Sequence, residues 1–346
     1  MTPPPAAAGP EELARPDALA QGVLAGRARP IARAISEVER DSGDVPEILR
    51  RVFRETGRAR IIGITGPPGA GKSTLVLRLA QAYRKQGRSV GVVAVDPSSP
   101  FTGGAILGDR IRMAEIYTDP GVFIRSMATR GALGGLARAT SDAVDILDAA
   151  GFQVILIETV GVGQDEVDIV RAADTTAVVL VPGLGDDIQA IKAGILEIAD
   201  VFIVNKSERE GADRAVSELS MMLDLSAHAK DAWRPPIVKT TAPSGAGVPE
   251  AVKALEAHGD HLAQTPEGAK RRAVRARSRL LALLEDRFRR TIEAHAPEPD
   301  GLEEAVRGVT ARREDPYSAA GRLFERLVRD SPAAAAGWPA SARSSS

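Results

Sequence analysis

Residues 61–65, Ile-Ile-Gly-Ile-Thr, form an apolar, β-branched run, and a helical pattern begins at Thr74. Between them lies Gly66-Pro67-Pro68-Gly69-Ala70-Gly71-Lys72-Ser73. This octet in this position constrains the chain to a strand, a tight glycine loop and a helix. The glycines let the backbone curl so that its N–H groups point inward. The helix start adds partial positive charge. Lys72 can then reach β and γ phosphates while the Ser73 hydroxyl ligates Mg²⁺. Pro67 and Pro68 lack N–H donors, so amides from Gly69 onward must do the binding. The implied ligand is a nucleoside triphosphate.

At 346 residues the chain has room for one large α/β domain with helical additions. Its 44% hydrophobic content and 3% aromatic content predict a core of Ala, Val, Leu and Ile. A net charge of −1 supplies no basic field, so nucleic acid is not an expected partner. The absence of cysteine excludes disulfides, thiolate metal sites and cysteine nucleophiles, and fits a cytoplasmic setting. No apolar run approaches a membrane span, so no membrane partner is expected. Residues 1–17, rich in Pro and Ala, read as a disordered lead-in rather than a secretory signal.

Helical spacing of apolar residues predicts helices at 18–26, 31–42 and 45–56, an N-terminal group spanning 18–57. Strands are predicted at 61–65, 89–95, 122–125, 154–158, 177–181, 201–204 and 236–240. Most are continuous apolar runs, as strands buried on both faces require. Alternation with helical segments implies crossovers, hence an α/β fold with a mainly parallel sheet over 58–265 and helices on both faces. Beyond residue 265 the chain becomes helical and highly charged, with Leu280, Leu281, Leu283, Leu284 and Phe288 interleaved. Its arginine-rich face reads as a solvated face beside a dimer or packing seam. Residues 332–346, rich in Ala, Pro and Ser, read as a disordered tail.

Strand 201–204 runs into Asn205-Lys206-Ser207-Glu208. In GTPases an N-K-x-acid loop reads guanine: the acid accepts from N1–H and the exocyclic amine, a pair that adenine lacks. Here the acid is Glu208, one methylene longer than the usual Asp. The turn Thr241-Ala242-Pro243 after the last strand is where such proteins contact the base through backbone N–H groups. Asp96 and Glu158 end neighbouring strands facing the glycine loop, where carboxylates can hold Mg²⁺ directly or through water. Gly161 could donate its N–H to a γ-phosphate, a contact present only in the triphosphate state. Three glycine-rich loops, at 101–112, 130–135 and 182–192, look fit to be ordered by ligand or partner.

The strings DPSSPFTGGAILGDRIRM, RGALGGLA, ETVGVGQDE and PGLGDDIQAIKAG together resemble the MeaB/ArgK family of GTPases, chaperones of adenosylcobalamin-dependent acyl-CoA mutases. The likeness covers residues 32–330. It implies a P-loop GTPase with an N-terminal helical extension and a C-terminal helical dimerisation arm at 266–331, acting as a homodimer. The implied cofactors are GTP or GDP and Mg²⁺; the implied partner is a mutase of the methylmalonyl-CoA type. The GTP cycle would gate cobalamin loading and protect the mutase. The resemblance assigns Gly66, Pro67, Pro68, Gly69, Ala70, Gly71, Lys72, Ser73 and Thr74 to phosphate, and Ser73, Asp96, Asp109 and Glu158 to Mg²⁺. Asn205, Lys206 and Glu208, with Thr241, Ala242 and Pro243, are assigned to the base. Gly161, Gln164, Asp186, Gln189 and Lys192 fall in switch loops, and Lys72, Asp96, Glu158 and Lys192 are the catalytic candidates. The alternatives, a metal-insertion GTPase or a transport-system protein kinase, find less in the residues. The one close histidine pair, His258 and His261, reads as surface residues near a helix end, and no motif supplies a phosphoacceptor site.

Overall fold

The computed structural model describes residues 15–96, 114–128, 135–159, 172–183, 198–225, 233–295 and 301–329. It divides into two compact units, residues 1–275 and 276–346.

The first unit is built on a parallel sheet of seven strands in the order β3-β2-β4-β1-β5-β6-β7. The strands are β1 (Arg60–Thr65), β2 (Val90–Asp96), β3 (Val122–Ala128), β4 (Val154–Thr159), β5 (Thr175–Leu180), β6 (Val201–Asn205) and β7 (Ile237–Thr240). All seven predicted strands are present. Every residue of β4, β5 and β6 is buried, because crossover segments cover both faces of a parallel sheet.

Alternation along each strand sends neighbouring side chains to opposite cores. Ile62, Ile64, Val92, Leu156 and Val179 face a core shared with α4 (Lys72–Lys85) and α7 (Val248–Gln264). Val93, Val95, Ile155 and Ile157 face the other side. There they meet α5 (Gly135–Ala149) and three N-terminal helices, α1 (Pro16–Leu24), α2 (Ala28–Glu39) and α3 (Val45–Val52). A smaller cluster of Val178, Leu180, Phe202 and Val204 packs on Ala215 and Leu219 of α6 (Ala212–Leu225). Burying one such Leu contributes about 1.5–3 kcal/mol. The N-terminal helices are thus part of the sheet's own core.

Polar contacts secure the same seam. Asp148, at the end of α5, accepts the backbone N–H groups of Gly57 (2.5 Å), Arg58 (3.2 Å) and Ala59 (2.9 Å). Arg125 of β3 pairs with Glu39 and donates to Ser36 Oγ at 3.0 Å. Arg138 of α5 pairs with Asp41 at 2.7 Å.

The 29-residue helix α8 (Pro266–Ala294) begins in the first unit and ends in the second. The second unit continues with α9 (Leu302–Thr310) and α10 (Pro316–Arg329). Asp315 caps α10, accepting from the Tyr317 N–H at 2.9 Å and the Ser318 N–H at 3.1 Å. Within this unit Phe288 and Phe324 contact with ring centroids 5.8 Å apart. Leu280, Leu284, Tyr317 and Phe324 remain exposed in the single chain.

His258 departs from the expectation of a surface pair. It is fully buried, with Nδ1 2.8 Å from Thr175 Oγ1 and Nε2 3.2 Å from Asp200 Oδ1. The Trp233 ring covers it at 5.0 Å, and the indole N–H donates to Asp200 O. Tertiary packing of α7 against β5 and β6 explains the burial; helical periodicity alone leaves a histidine at a helix end undecided. His261 is partly buried, 3.2 Å from Glu267. Arg271, in the second turn of α8, pairs with Asp200 at 2.8 Å and with Glu267 at 2.7 Å, tying the root of the long helix to the residue that leads into β6.

Burial, helped by the nearby Arg271 charge, lowers the His258 pKa from 6.5 to about 3. A neutral native imidazole and a protonatable unfolded one make stability fall as pH drops from about 6.5 toward 3. At pH 7, His258→Gln should therefore destabilise the protein by ~1–3 kcal/mol through lost packing and hydrogen bonding. That gap should narrow as pH falls through this window, measured by urea unfolding of both proteins at several pH values.

Candidate functional site

The glycine octet leaves β1 at the carboxyl edge of the sheet and runs into α4. Two of its glycines are required by geometry. Gly66 has φ +143°, and a Cβ there would lie 2.1 Å from Val179 O of the adjacent strand. Gly71 has φ +88°, and its Cβ would lie 2.5 Å from Asn205 Nδ2. The Lys72 ammonium is buried inside the loop, donating to Gly66 O at 2.5 Å and Pro67 O at 3.1 Å. Pro67 O also accepts the Ala70 N–H at 3.2 Å, which closes the turn despite the two prolines.

Next to the loop, Ser73 Oγ donates to Glu158 Oε1 at 2.5 Å, and Glu158 is 1% exposed. This brings together a hydroxyl and a carboxylate that the sequence places 85 residues apart. Two hard oxygen donors at a glycine loop are a donor set suited to Mg²⁺. Asp96 ends β2 immediately after Val95, which pairs with Thr159 of β4, so its backbone lies on the same edge.

Asn205 ends β6 and is 1% exposed. Its Nδ2 donates to Ala70 O at 2.8 Å, while Oδ1 accepts from Thr240 Oγ1 at 3.1 Å and from the Ala242 N–H at 3.1 Å. One side chain thereby joins the glycine loop to the 241–245 turn. Lys206 adopts a left-handed φ of +57° and donates from Nζ to Gly69 O at 2.8 Å. Glu208 is exposed, and its carboxylate accepts from Thr241 Oγ1 at 2.9 Å. Hydrogen bonds from its own N–H and from the Thr241 hydroxyl hold this carboxyl below the usual carboxylate range.

The 241–243 turn was expected to present backbone N–H groups to a base. Its donors are engaged within the chain instead. The Thr241 N–H donates to Ala246 O at 2.9 Å, the Ala242 N–H to Asn205, and Pro243 has none. Base contact through these amides would share hydrogen bonds already made within the chain. Asp109, Gly161, Gln164, Asp186, Gln189 and Lys192 lie outside the described residues.

Three contributors escaped the sequence reading. The Thr240 hydroxyl orients Asn205, the Ser207 hydroxyl lies 3.2 Å from Thr241 Oγ1, and Arg78 of α4 reaches the carbonyls of the 241–245 turn. Only Arg78 left a trace, as a single charge inside Leu75-Val76-Leu77-Arg78-Leu79-Ala80.

A parallel sheet, a Lys-bearing glycine loop and an adjoining Asn-Lys-x-Glu segment define a P-loop nucleoside triphosphatase. The family model "Methylmalonyl Co-A mutase-associated GTPase MeaB" matches residues 31–296, and the chain belongs to that family of GTPases. A Pyrococcus horikoshii relative is 49% identical over 314 residues, covering 90% of this chain and 98% of its own. GTPase ArgK of Escherichia coli is 34% identical, over 67% of this chain and 71% of its own. The mitochondrial methylmalonic aciduria type A homolog of Mus musculus is 37% identical, over 68% of this chain and 60% of its own. A crystal structure of a LAO/AO transport system kinase superposes with a TM-score of 0.65 at 21% identity, covering 93% of this chain and 99% of that one; it supports the fold alone. The chain is accordingly a GTP hydrolase that binds guanine nucleotide.

Asn205→Ala should leave the Ala70 carbonyl and the Ala242 amide without their shared partner. Urea unfolding should show a loss of ~1–3 kcal/mol, the cost of unsatisfied buried groups. GDP titration should show weakened binding in the same variant.

Proposed function

We propose that this GTPase is a chaperone of an adenosylcobalamin-dependent acyl-CoA mutase of the methylmalonyl-CoA type, gating cobalamin loading and protecting the enzyme from inactivation. The observation that carries the reading is the match of residues 31–296 to mutase-associated GTPases. The methylmalonic aciduria name of the mouse relative points the same way. No helix among the described residues is long and apolar enough to cross a membrane, which is compatible with a cytoplasmic mutase partner.

In this reading the amides from Gly69 to Thr74 and the Lys72 ammonium take the phosphates. Lys72 would turn from the Gly66 and Pro67 carbonyls toward the nucleotide. Ser73 and Glu158, with Asp96 and Asp109, would hold Mg²⁺, which supplies charge neutralisation at the phosphate oxygens. Asn205, Lys206 and Glu208, with the 241–243 turn, read the base. Gly161 and Gln164 belong to a switch loop at the γ-phosphate, and Asp186, Gln189 and Lys192 to the switch that senses the mutase. The domain limits proposed are 58–265 for the GTPase part and 266–331 for a dimerisation arm. The exposed Leu280 and Leu284, one turn apart on α8, support a homodimer through that arm, because large exposed apolar side chains on one helix face favour a protein partner.

GTP turnover should rise when the cognate mutase is added and disappear in Lys72→Ala. Turnover indifferent to every acyl-CoA mutase tried would overturn the chaperone role. If the longer side chain is suboptimal, Glu208→Asp should tighten GDP binding. ADP binding as tight as GDP in the parent protein would show that Glu208 does not read guanine.

A further inference from the structure

We infer that Arg78 is a positioning residue that clamps the base-side turn onto the glycine-loop helix and thereby sets guanine affinity and selectivity. This rests on the proposed assignment of residues 205–208 and 241–243 to the base. Arg78 lies on α4, six positions beyond Lys72, on a helix otherwise anchored by buried Leu75, Val76, Leu79 and Ala80. Its Nε donates to Ala242 O at 3.2 Å, and one terminal nitrogen donates to Pro243 O at 3.0 Å. The other terminal nitrogen donates to Gln81 Oε1 at 2.8 Å and pairs with Glu115 at 3.2 Å. Gln81 also donates to Glu115 at 2.9 Å, so the guanidinium is held from behind as well as in front.

The consequence is a grip on both peptide units that flank Ala242. The Ala242 N–H is taken by Asn205 and the Ala242 carbonyl by Arg78, while the residue itself is fully buried. Asn205 ties the turn to Ala70 of the glycine loop, and Arg78 ties it to the helix that the loop opens. Beyond these two grips the turn is held at Thr241, by its bridge to Ala246 and by hydroxyl contacts with Glu208 and Ser207, so Ala242 and Pro243 depend on Asn205 and Arg78. A planar, permanently charged fork suits two carbonyls at once; an ammonium can meet only part of that geometry. The two ends of a bound nucleotide are thereby kept at a set separation through one helix.

The test uses the full chain with Arg78→Met, which keeps the apolar stem and removes every donor, and Arg78→Lys, which keeps one charged donor. Binding of GDP, ADP and inorganic tripolyphosphate is titrated for each protein, alongside steady-state GTP hydrolysis. Arg78→Met should weaken GDP by about tenfold, the scale of lost hydrogen bonds from a charged donor. Tripolyphosphate affinity should be unchanged, the preference for GDP over ADP should shrink, and KM for GTP should rise at constant kcat. Arg78→Lys should fall between. Glu115→Gln, which leaves both carbonyl contacts in place, should keep GDP affinity within about twofold of the parent, by the small worth of an exposed pair. A parent protein without preference for GDP would overturn the base assignment and the clamp with it. A parent with the preference and an Arg78→Met variant that retains it would overturn the clamp alone. Equal weakening of tripolyphosphate and GDP would also overturn it, because that pattern reports a disturbed helix rather than a displaced turn.

Discussion

Asn205 donates to Ala70 O at 2.8 Å, and its oxygen receives the Thr240 hydroxyl and the Ala242 amide. These partners belong to the glycine loop, to β7 and to the turn that follows it. None of them would hold that arrangement from local preference, since loops of this kind have no regular backbone ladder of their own. With the side chain 1% exposed, each of its hydrogen bonds is sheltered from competing water, and each loss would strand a buried polar group. Gly71 is glycine for the same reason, because any side chain there would occupy the position of the Asn205 amide.

That amide can act only because the sheet delivers its neighbours to one edge. Strand order β3-β2-β4-β1-β5-β6-β7 places β1 between β4 and β5, so the glycine loop emerges beside the Glu158 strand. Parallel strands with crossovers put all their carboxyl ends on one side, which is where loops converge. Two apolar cores hold that sheet between α4 with α7 on one face and α5 with the N-terminal helices on the other. The Ser73–Glu158 hydrogen bond is a direct product of this order, since Glu158 is in register with Ile64 of β1, the strand that leads into the glycine loop and Ser73.

Much of this was legible beforehand. Continuous apolar runs marked most of the seven strands, and their separation by helical segments announced a parallel sheet. Gly66, Lys72, Ser73, Glu158 and Asn205 were legible as site candidates because each follows a strand or stands in a glycine loop. The burial of His258 is not legible in the sequence, because a histidine near a helix end gives no sign of the Trp233 and Asp200 that close over it. Arg78 was passed over because its partners, Ala242 and Pro243, are more than 160 residues away. The engagement of the turn's own N–H groups could not be foreseen, since it depends on Asn205 and on the Thr241–Ala246 bridge.

The sequence by itself determined the class of protein. A glycine octet ending in Lys-Ser, bounded by a β-branched strand and a helix, admits essentially one local geometry, and the long internal strings carry the family. Tertiary structure alone decided how the separate loops are locked to one another. It set the side chain of Asn205 between three segments, turned Arg78 toward two carbonyls, and buried His258 under Trp233. The physical reason is the same in each case. Local preference acts over a few residues, whereas a buried hydrogen bond takes its partner from whatever the fold brings within about 3 Å.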